Sequence, residues 1–325
     1  MDSSILTAVG TFYSASRWRM PLTAWKHEHF MSGTDGMAYK LAVLAPAFAY
    51  GVLRNVFRRK PSRAPELGLA VVAIIKNEGA YIKEWIEYHR LVGVERFYLY
   101  DNQSDDNTLD LLAPYVRQGV VVLERMAGEA RQMDAYNDAL RHHGRACKYM
   151  AFIDADEFIA VGDEPLLRCL DNKLTGRAGG LALNWLIFGS GGQTHRDEGL
   201  VIERFTQRAP YSHHKNLHVK EICRPQTVLG VYNPHFCHYL WGYHAIDVWG
   251  RPVVGAYTQE LPAEPFPRLH HYFTKSLEEF RAKRLRGCAD DHEDRPMDDF
   301  YEHDCNDETD TTLAEYAPQV RAACA

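Results

Sequence analysis

Four short apolar runs, each parted from the next by a helix-like stretch, constrain this chain more than anything else in it. LAVVAIIK (69–76), RFYLYD (96–101), GVVVLE (119–124) and YMAFI (149–153) are rich in β-branched and aromatic residues. They do not alternate apolar with polar, which is the pattern of strands buried on both faces of a parallel sheet. Between the first two, Ile82, Trp85, Ile86 and His89 fall at i, i+3, i+4 and i+7, one helical face, and Gly93 ends the helix. NQSDDNT (102–108) supplies capping residues to a second helix in LDLLAPYVRQG, and a third is expected over 129–143. Alternation of this kind predicts a doubly wound α/β sheet.

Sheets of that class bind ligands at the carboxyl ends of their strands. Here those ends read Lys76-Asn77-Glu78, Asp101-Asn102 and Asp154-Ala155-Asp156-Glu157. Two aspartates spaced i, i+2 at a strand exit can share a hard cation through oxygen. Mg²⁺ or Mn²⁺ held this way completes its shell with water and substrate phosphates, and neutralises charge on a leaving diphosphate. Three other signatures of α/β proteins are missing from the sequence. No GxGxxG follows the first strand, no GxxxxGK[ST] occurs, and there is no GxSxG elbow.

The net charge of −6 gives no nucleic-acid footprint, so no nucleic-acid partner is expected. Seven scattered cysteines without a CxxC pair argue against a disulfide framework or zinc ribbon and fit a reducing, cytoplasmic setting. Residues 1–65 read as an N-terminal extension with a linker at PSRAP, 66–287 as the main domain, and 288–325 as an acidic tail with a short helix. In that tail, 288–310 carries eleven Asp/Glu against one Arg, the composition of a solvated, partly disordered segment. MAYKLAVLAPAFAYGVLRNVFRRK (37–60) is apolar with a basic end. Its apolar stretch, 41–53, is too short to span a bilayer, which takes about 20 residues. It fits either a helix packed on the domain or an interfacial helix with Arg54, Arg58, Arg59 and Lys60 at anionic headgroups, a peripheral contact at the inner face of a membrane.

VVAIIKNEGAYIKEWIEYHRLVGVERFYLYDNQSDDNT followed by YMAFIDADEFI resembles the family 2-like glycosyltransferases, and most of all their family 92 branch. The similarity continues through NWLIFGSGG, KEICRP and HHYFTKSLEEFRAKRLRG, covering roughly residues 67–287. The resemblance implies a GT-A fold, a Rossmann-like sheet with an acceptor-side α+β extension. It also implies a nucleotide-sugar donor, a UDP-sugar above others, a divalent metal (Mn²⁺ or Mg²⁺), and inversion at the anomeric carbon. The acceptor would be a hydroxyl on a glycan, lipid-linked glycan or protein glycan. Carried onto this sequence, Asp154 and Asp156 would hold the metal and the donor diphosphate, with His271 of HHYFTKS closing the metal shell. Asp101 would contact the base or ribose, and Asn77 and Glu78 would line the same pocket. Lys275 and Lys220 are candidates for the phosphates, and Gln132 for the donor side. Trp185 could stack on an acceptor sugar. Inversion needs a general base near the acceptor hydroxyl. Glu203, in a strand-like run, is the first candidate and Asp197 the second.

Two other readings compete. A nucleotidyltransferase or sugar-phosphate pyrophosphorylase also pairs an α/β sheet with carboxylate-bound Mg²⁺. It would grip a triphosphate with a Gly-rich, basic loop after the first strand, where this chain has KNEGAY. A non-catalytic sugar-binding module would not need an intact pair of aspartates.

Overall fold

The structure is a computed structural model, and it describes residues 64–240, 242–260, 266–286 and 296–325. The apolar and basic segment 37–60 lies outside the described residues. No described helix is long and apolar enough to cross a membrane.

The four expected strands form the centre of the molecule. They are β1 (Leu67–Ile75), β2 (Arg96–Asp101), β3 (Val121–Arg125) and β4 (Cys147–Phe152), all parallel and ordered β4-β1-β2-β3. The expected helices connect them: α1 (Ile82–Leu91), α2 (Thr108–Arg117) and α3 (Gln132–His143). The α/β class read from the sequence is borne out.

β1 explains why its sequence does not alternate. Leu69, Val71, Ala73 and Ile75 point into one apolar core, while Ala70, Val72 and Ile74 point into a second on the other face. The first core takes Ile82, Trp85 and Ile86 of α1, and the second takes Ala135, Tyr136 and Ala139 of α3. A strand buried on both sides must be apolar at every position.

After α4 (Leu166–Lys173), the second half extends this sheet. β6 (Ala178–Ile187) and β8 (Val219–Cys223) continue it, with β8 antiparallel to both β4 and β6. Short strands β11 (His244–Ile246) and β12 (Pro252–Val253) finish that edge. β13 (Arg268–His271) pairs antiparallel with β5 (Glu157–Ala160) and parallel with β6. A hairpin of β9 (Val228–Asn233) and β10 (Phe236–Tyr239) covers α3.

The polar tips of α1 hold β5 in place. Trp85 Nε1 donates to the Glu157 carbonyl at 2.9 Å, and the Tyr88 hydroxyl to that of Ile159 at 2.9 Å. His89 takes a neutral form that fits both its neighbours. Nδ1 lies 2.8 Å from the Trp85 carbonyl, and Nε2 accepts the Ile159 amide at 3.2 Å. Burial lowers its pKa to about 3, so the ring stays neutral and can accept.

Two sequence expectations change. The run around Glu203 forms a single helical turn, α5 (Val201–Arg204), rather than a strand. Glu84 of α1 caps that turn, accepting the amides of Val201 at 2.8 Å and Ile202 at 3.0 Å. The acidic stretch is not a free tail over its described part. α7 (Asp298–His303) buries Phe300, β14 (Glu308–Thr309) pairs with β7 (Gln207–Arg208), and α8 (Ala317–Cys324) packs on α1 through Ala317 and Val320. Its apolar residues, spaced between the charges, drive that docking.

Candidate active site

Three strand exits, two helices and the β13 strand converge on one cleft of about 230 Å³. Lys76 and Glu78 follow β1, Asn102 follows β2, and Asp154 and Asp156 follow β4, all lining it. Pairing brings in the rest. Register sets His271 of β13 opposite Glu157 and beside Ile187 of β6, two residues from Trp185. His271 and Trp185 therefore face the same cleft as the aspartates, their rings 4.3 Å apart.

The β1 exit turns because of local chemistry. Asn77 sits at φ 55°, a left-handed conformation that asparagine tolerates better than most residues. Its side chain ties this loop to the β2 exit, donating to Asp105 at 2.6 Å and accepting the Asp105 amide at 2.9 Å. A Cβ on Gly79 would lie 2.1 Å from Asn107 Oδ1, so any larger residue there would have to displace the Asn107 side chain.

Asp154 and Asp156 are held differently. Gln132 Nε2 donates to Asp154 Oδ1 at 2.6 Å, and the Tyr136 hydroxyl to the same oxygen at 3.3 Å. Lys220 of β8 donates to Oδ2 at 2.8 Å. Burial alone would raise the Asp154 pKa, but the Lys220 ammonium outweighs it and the carboxyl is held low. Asp156 is paired with Lys283 of α6 (Leu277–Arg286), and its other oxygen lies 3.7 Å from His271 Nε2. Burial again opposes the charge, and Lys283 and His271 hold the carboxyl well below its usual range.

Glu157 is the hidden centre of the arrangement. Fully buried, it accepts the Asp154 amide at 2.8 Å and Trp185 Nε1 at 2.7 Å, and lies 3.8 Å from Lys220. It fixes the turn that carries both aspartates and the orientation of the Trp185 ring. Burial pushes its carboxyl well above the usual range, against the pull of Lys220.

The cleft collects some predicted residues and leaves others out. Glu78, Gln132, Asp154, Asp156, Trp185, Lys220 and His271 line it. Asp101 is buried behind the β2 exit, accepting the Ser104 amide at 3.1 Å, and Asn102 takes its place at the wall. Asn77 serves the loop clasp. Lys275 does not reach the cleft, because its backbone at φ 50° turns the side chain onto the Tyr81 ring, 4.5 Å from its centroid. Neither candidate base is brought in. Asp197 is exposed and accepts the Glu198 amide at 2.8 Å, and Glu203 pairs with Arg321 of α8.

Two basic residues were missed from the sequence. Lys283 and Arg286 lie one turn apart on α6 and both line the cleft. Arg286 donates to Glu78 at 2.9 Å and to the carbonyls of Lys76 at 2.9 Å and Asn77 at 2.6 Å. The signal was helical register. Buried Glu279 and Phe280 define the inner face, and Lys283 and Arg286 continue it at i+4 and i+7 from Glu279.

An acidic pair lies beside two helix-borne cations at the carboxyl ends of parallel strands, the place where α/β domains of this class bind their ligands. Residues 72–245, more than half of the chain, match glycosyltransferase family 92, and the chain belongs to that family. That membership and the parallel β4-β1-β2-β3 core agree with the GT-A class expected. A family 92 protein of Oryza sativa subsp. japonica is 28% identical over 194 residues, 54% of this chain and 29% of the relative. One from Ricinus communis is 30% identical over 92 residues, 28% of this chain and 16% of the relative. The matched stretch thus spans less than a third of the length of either. Among solved structures, residues 1–349 of S. aureus TarS in complex with UDP align with 48% of this chain and 46% of their own, at 18% identity and a TM-score of 0.33.

Proposed function

We propose that this chain is an inverting, metal-dependent glycosyltransferase that moves a sugar from a nucleotide-sugar donor, a UDP-sugar, to a hydroxyl of a glycan or glycoconjugate. Family membership supports the class of reaction. The observation that carries the reading is the cleft itself, where Asp154 and Asp156 stand opposite Lys283 and Arg286.

In this reading the donor diphosphate lies between the carboxylates and α6. Lys283 and Arg286 pair with phosphate oxygens, and Asn102 and Glu78 face the nucleoside side. Among the described residues no three His, Cys, Asp or Glu converge on one point. Asp156 Oδ1 and His271 Nε2, 3.7 Å apart, are compatible with two neighbouring positions of a divalent cation's shell, and His271 Nδ1 has no hydrogen-bond partner that would tie the ring elsewhere. Phosphate and water would supply the remaining ligands. The cation, when bound, offsets charge on the departing diphosphate. Gln132, Tyr136 and Lys220 fix Asp154 so that it does not reorient as the donor enters, which is preorganisation of the kind that lowers a barrier.

The test is a donor panel. UDP-, GDP- and CMP-sugars are incubated with Mn²⁺, Mg²⁺ or EDTA, and both nucleotide release and nucleotide binding are read in the same samples. The reading expects release from a UDP-sugar that EDTA abolishes. Failure of every nucleotide sugar to bind in any metal would overturn it.

A further inference from the structure

Inversion needs a base at the acceptor hydroxyl, and neither Asp197 nor Glu203 reaches the cleft. The carboxylates that do line it are each paired with a cation, Glu78 with Arg286, Asp156 with Lys283 and Asp154 with Lys220. His271 lies beside Asp156. One further proton acceptor lines the same cleft, the imidazole of His235.

His235 sits at the tip of the β9-β10 hairpin, and local bonds fix it there. Asn233 Oδ1 accepts the His235 amide at 2.9 Å, an Asx turn that closes the tip around Pro234. Further back, Asn137 of α3 accepts the Val231 amide at 2.9 Å, and Glu221 of β8 accepts the Cys237 amide at 2.9 Å. The ring is oriented by its Nδ1, which lies 3.0 Å from the Val219 carbonyl. A carbonyl oxygen only accepts, so the neutral ring carries its proton on Nδ1 and its lone pair on Nε2. Among the described residues Nε2 has no hydrogen-bond partner, and it is not sealed from solvent. Burial and the Lys220 ammonium lower the pKa of the ring to about 3, against the opposing pull of Asp154, so the lone pair is available at neutral pH.

We propose that Nε2 of His235 is the general base that takes the proton of the acceptor hydroxyl, an inference that rests on the glycosyltransferase reading. The acceptor oxygen bonds the anomeric carbon as the bond from that carbon to the diphosphate oxygen breaks, and the diphosphate leaves with the electron pair. The hydroxyl proton passes to Nε2, and the imidazolium then gives it up to water. An alcohol oxygen already bonding to an anomeric carbon is a far stronger acid than a free alcohol, so a weakly basic ring is enough to take its proton. The departing diphosphate brings negative charge that stabilises the imidazolium as it forms.

The experiment uses the full chain with Mn²⁺ and UDP-glucose, UDP-galactose or UDP-N-acetylglucosamine. Water and the methyl glycosides of gluco-, galacto-, manno- and xylopyranose serve as acceptors. UDP release and UDP binding are read in the same samples for wild type, His235→Ala and His235→Gln, with the fold checked by circular dichroism. At saturating donor both variants should release UDP about 100-fold more slowly, while UDP affinity stays within about twofold. Added imidazole should restore release in His235→Ala and leave wild type unchanged. Release within about threefold of wild type in both variants would overturn the assignment. A rate loss matched by lost UDP affinity would overturn it too, since His235 would then hold the donor. So would a loss that imidazole does not restore, the mark of a residue that only packs. In each of these cases wild type still releases UDP, and the glycosyltransferase reading stands. Nitrogen NMR of the histidine rings needs no acceptor and decides the case in which wild type binds UDP without releasing it. An Nδ1–H ring with unprotonated Nε2 at neutral pH supports the assignment, and an Nε2–H tautomer or an imidazolium overturns it. A wild-type chain that binds no nucleotide sugar would overturn the glycosyltransferase reading and the base with it.

Discussion

Replacing Lys220 with methionine removes the one ammonium set between Asp154 and Glu157. The lysine is 1% exposed, donates to Asp154 at 2.8 Å and lies 3.8 Å from Glu157. Burial opposes its charge, but the two carboxylates more than offset that and hold its pKa above the ordinary lysine value. Removing one partner of a buried ion pair costs about 3–5 kcal/mol, because a charge is left uncompensated. Asp154 keeps 37% of its side chain exposed and can be rehydrated, whereas Glu157 cannot. The lower end, about 3 kcal/mol, is therefore expected. In a chain of this size that lowers the melting temperature by about 4–5 °C. The loss should depend on pH. Without Lys220, burial raises the folded-state pKa of Glu157 further above its unfolded value of about 4.3. A carboxyl raised in this way contributes most below its unfolded pKa and loses that contribution as pH rises through the folded pKa. The deficit of Lys220→Met should thus be larger at pH 8 than at pH 5 by thermal unfolding, with Asp154→Asn in the same background recovering part of it. A drop below about 2 °C at both pH values would refute the reasoning about this buried cluster.

Other consequences are equally direct. Lys283 occupies Asp156 where a cation would bind, so Lys283→Met should tighten Mn²⁺ binding about tenfold in an EPR titration, a charge-assisted hydrogen bond of about 1.5–3 kcal/mol no longer competing; unchanged affinity would remove Lys283 from the site. Glu279, where hydrogen bonds from Arg204, Ser276 and Tyr81 outweigh burial and lower the pKa to about 2, stabilises the fold above its unfolded pKa and loses that contribution as pH falls through the folded value. The urea midpoint of Glu279→Gln should accordingly change less than wild type between pH 5 and pH 3. Glu203 and Arg321 form a surface pair, so Glu203→Ala should cost under about 1 kcal/mol in chemical unfolding.

Much of the fold was legible because each signal was local. β1 to β4 announce themselves by continuous apolar runs, and the acidic exit of β4 follows directly in the sequence. Trp85, on the apolar stripe of α1, is buried as that stripe requires. What was not legible depends on partners far along the chain. Lys220 meets Asp154 from 66 residues away and Lys283 meets Asp156 from 127, and neither spacing leaves a trace in a motif. Lys275 looked equally suited to a phosphate, but a left-handed backbone turns it away, which its neighbours in sequence do not disclose. LVIERF was ambiguous for another reason. An apolar run that short fits a strand or a helical turn equally, and the cap from Glu84 decides for the turn.

The central claim is that the cleft between Asp156 and α6 is where a nucleotide sugar is opened. The most direct measurement is metal-dependent nucleotide release from a UDP-sugar, compared side by side in wild type, Asp156→Asn and Glu203→Ala. The account predicts release in wild type and in Glu203→Ala, and its loss in Asp156→Asn with the fold intact by circular dichroism. Release that survives Asp156→Asn but disappears in Glu203→Ala would contradict it and move the reacting centre to the far side of α5.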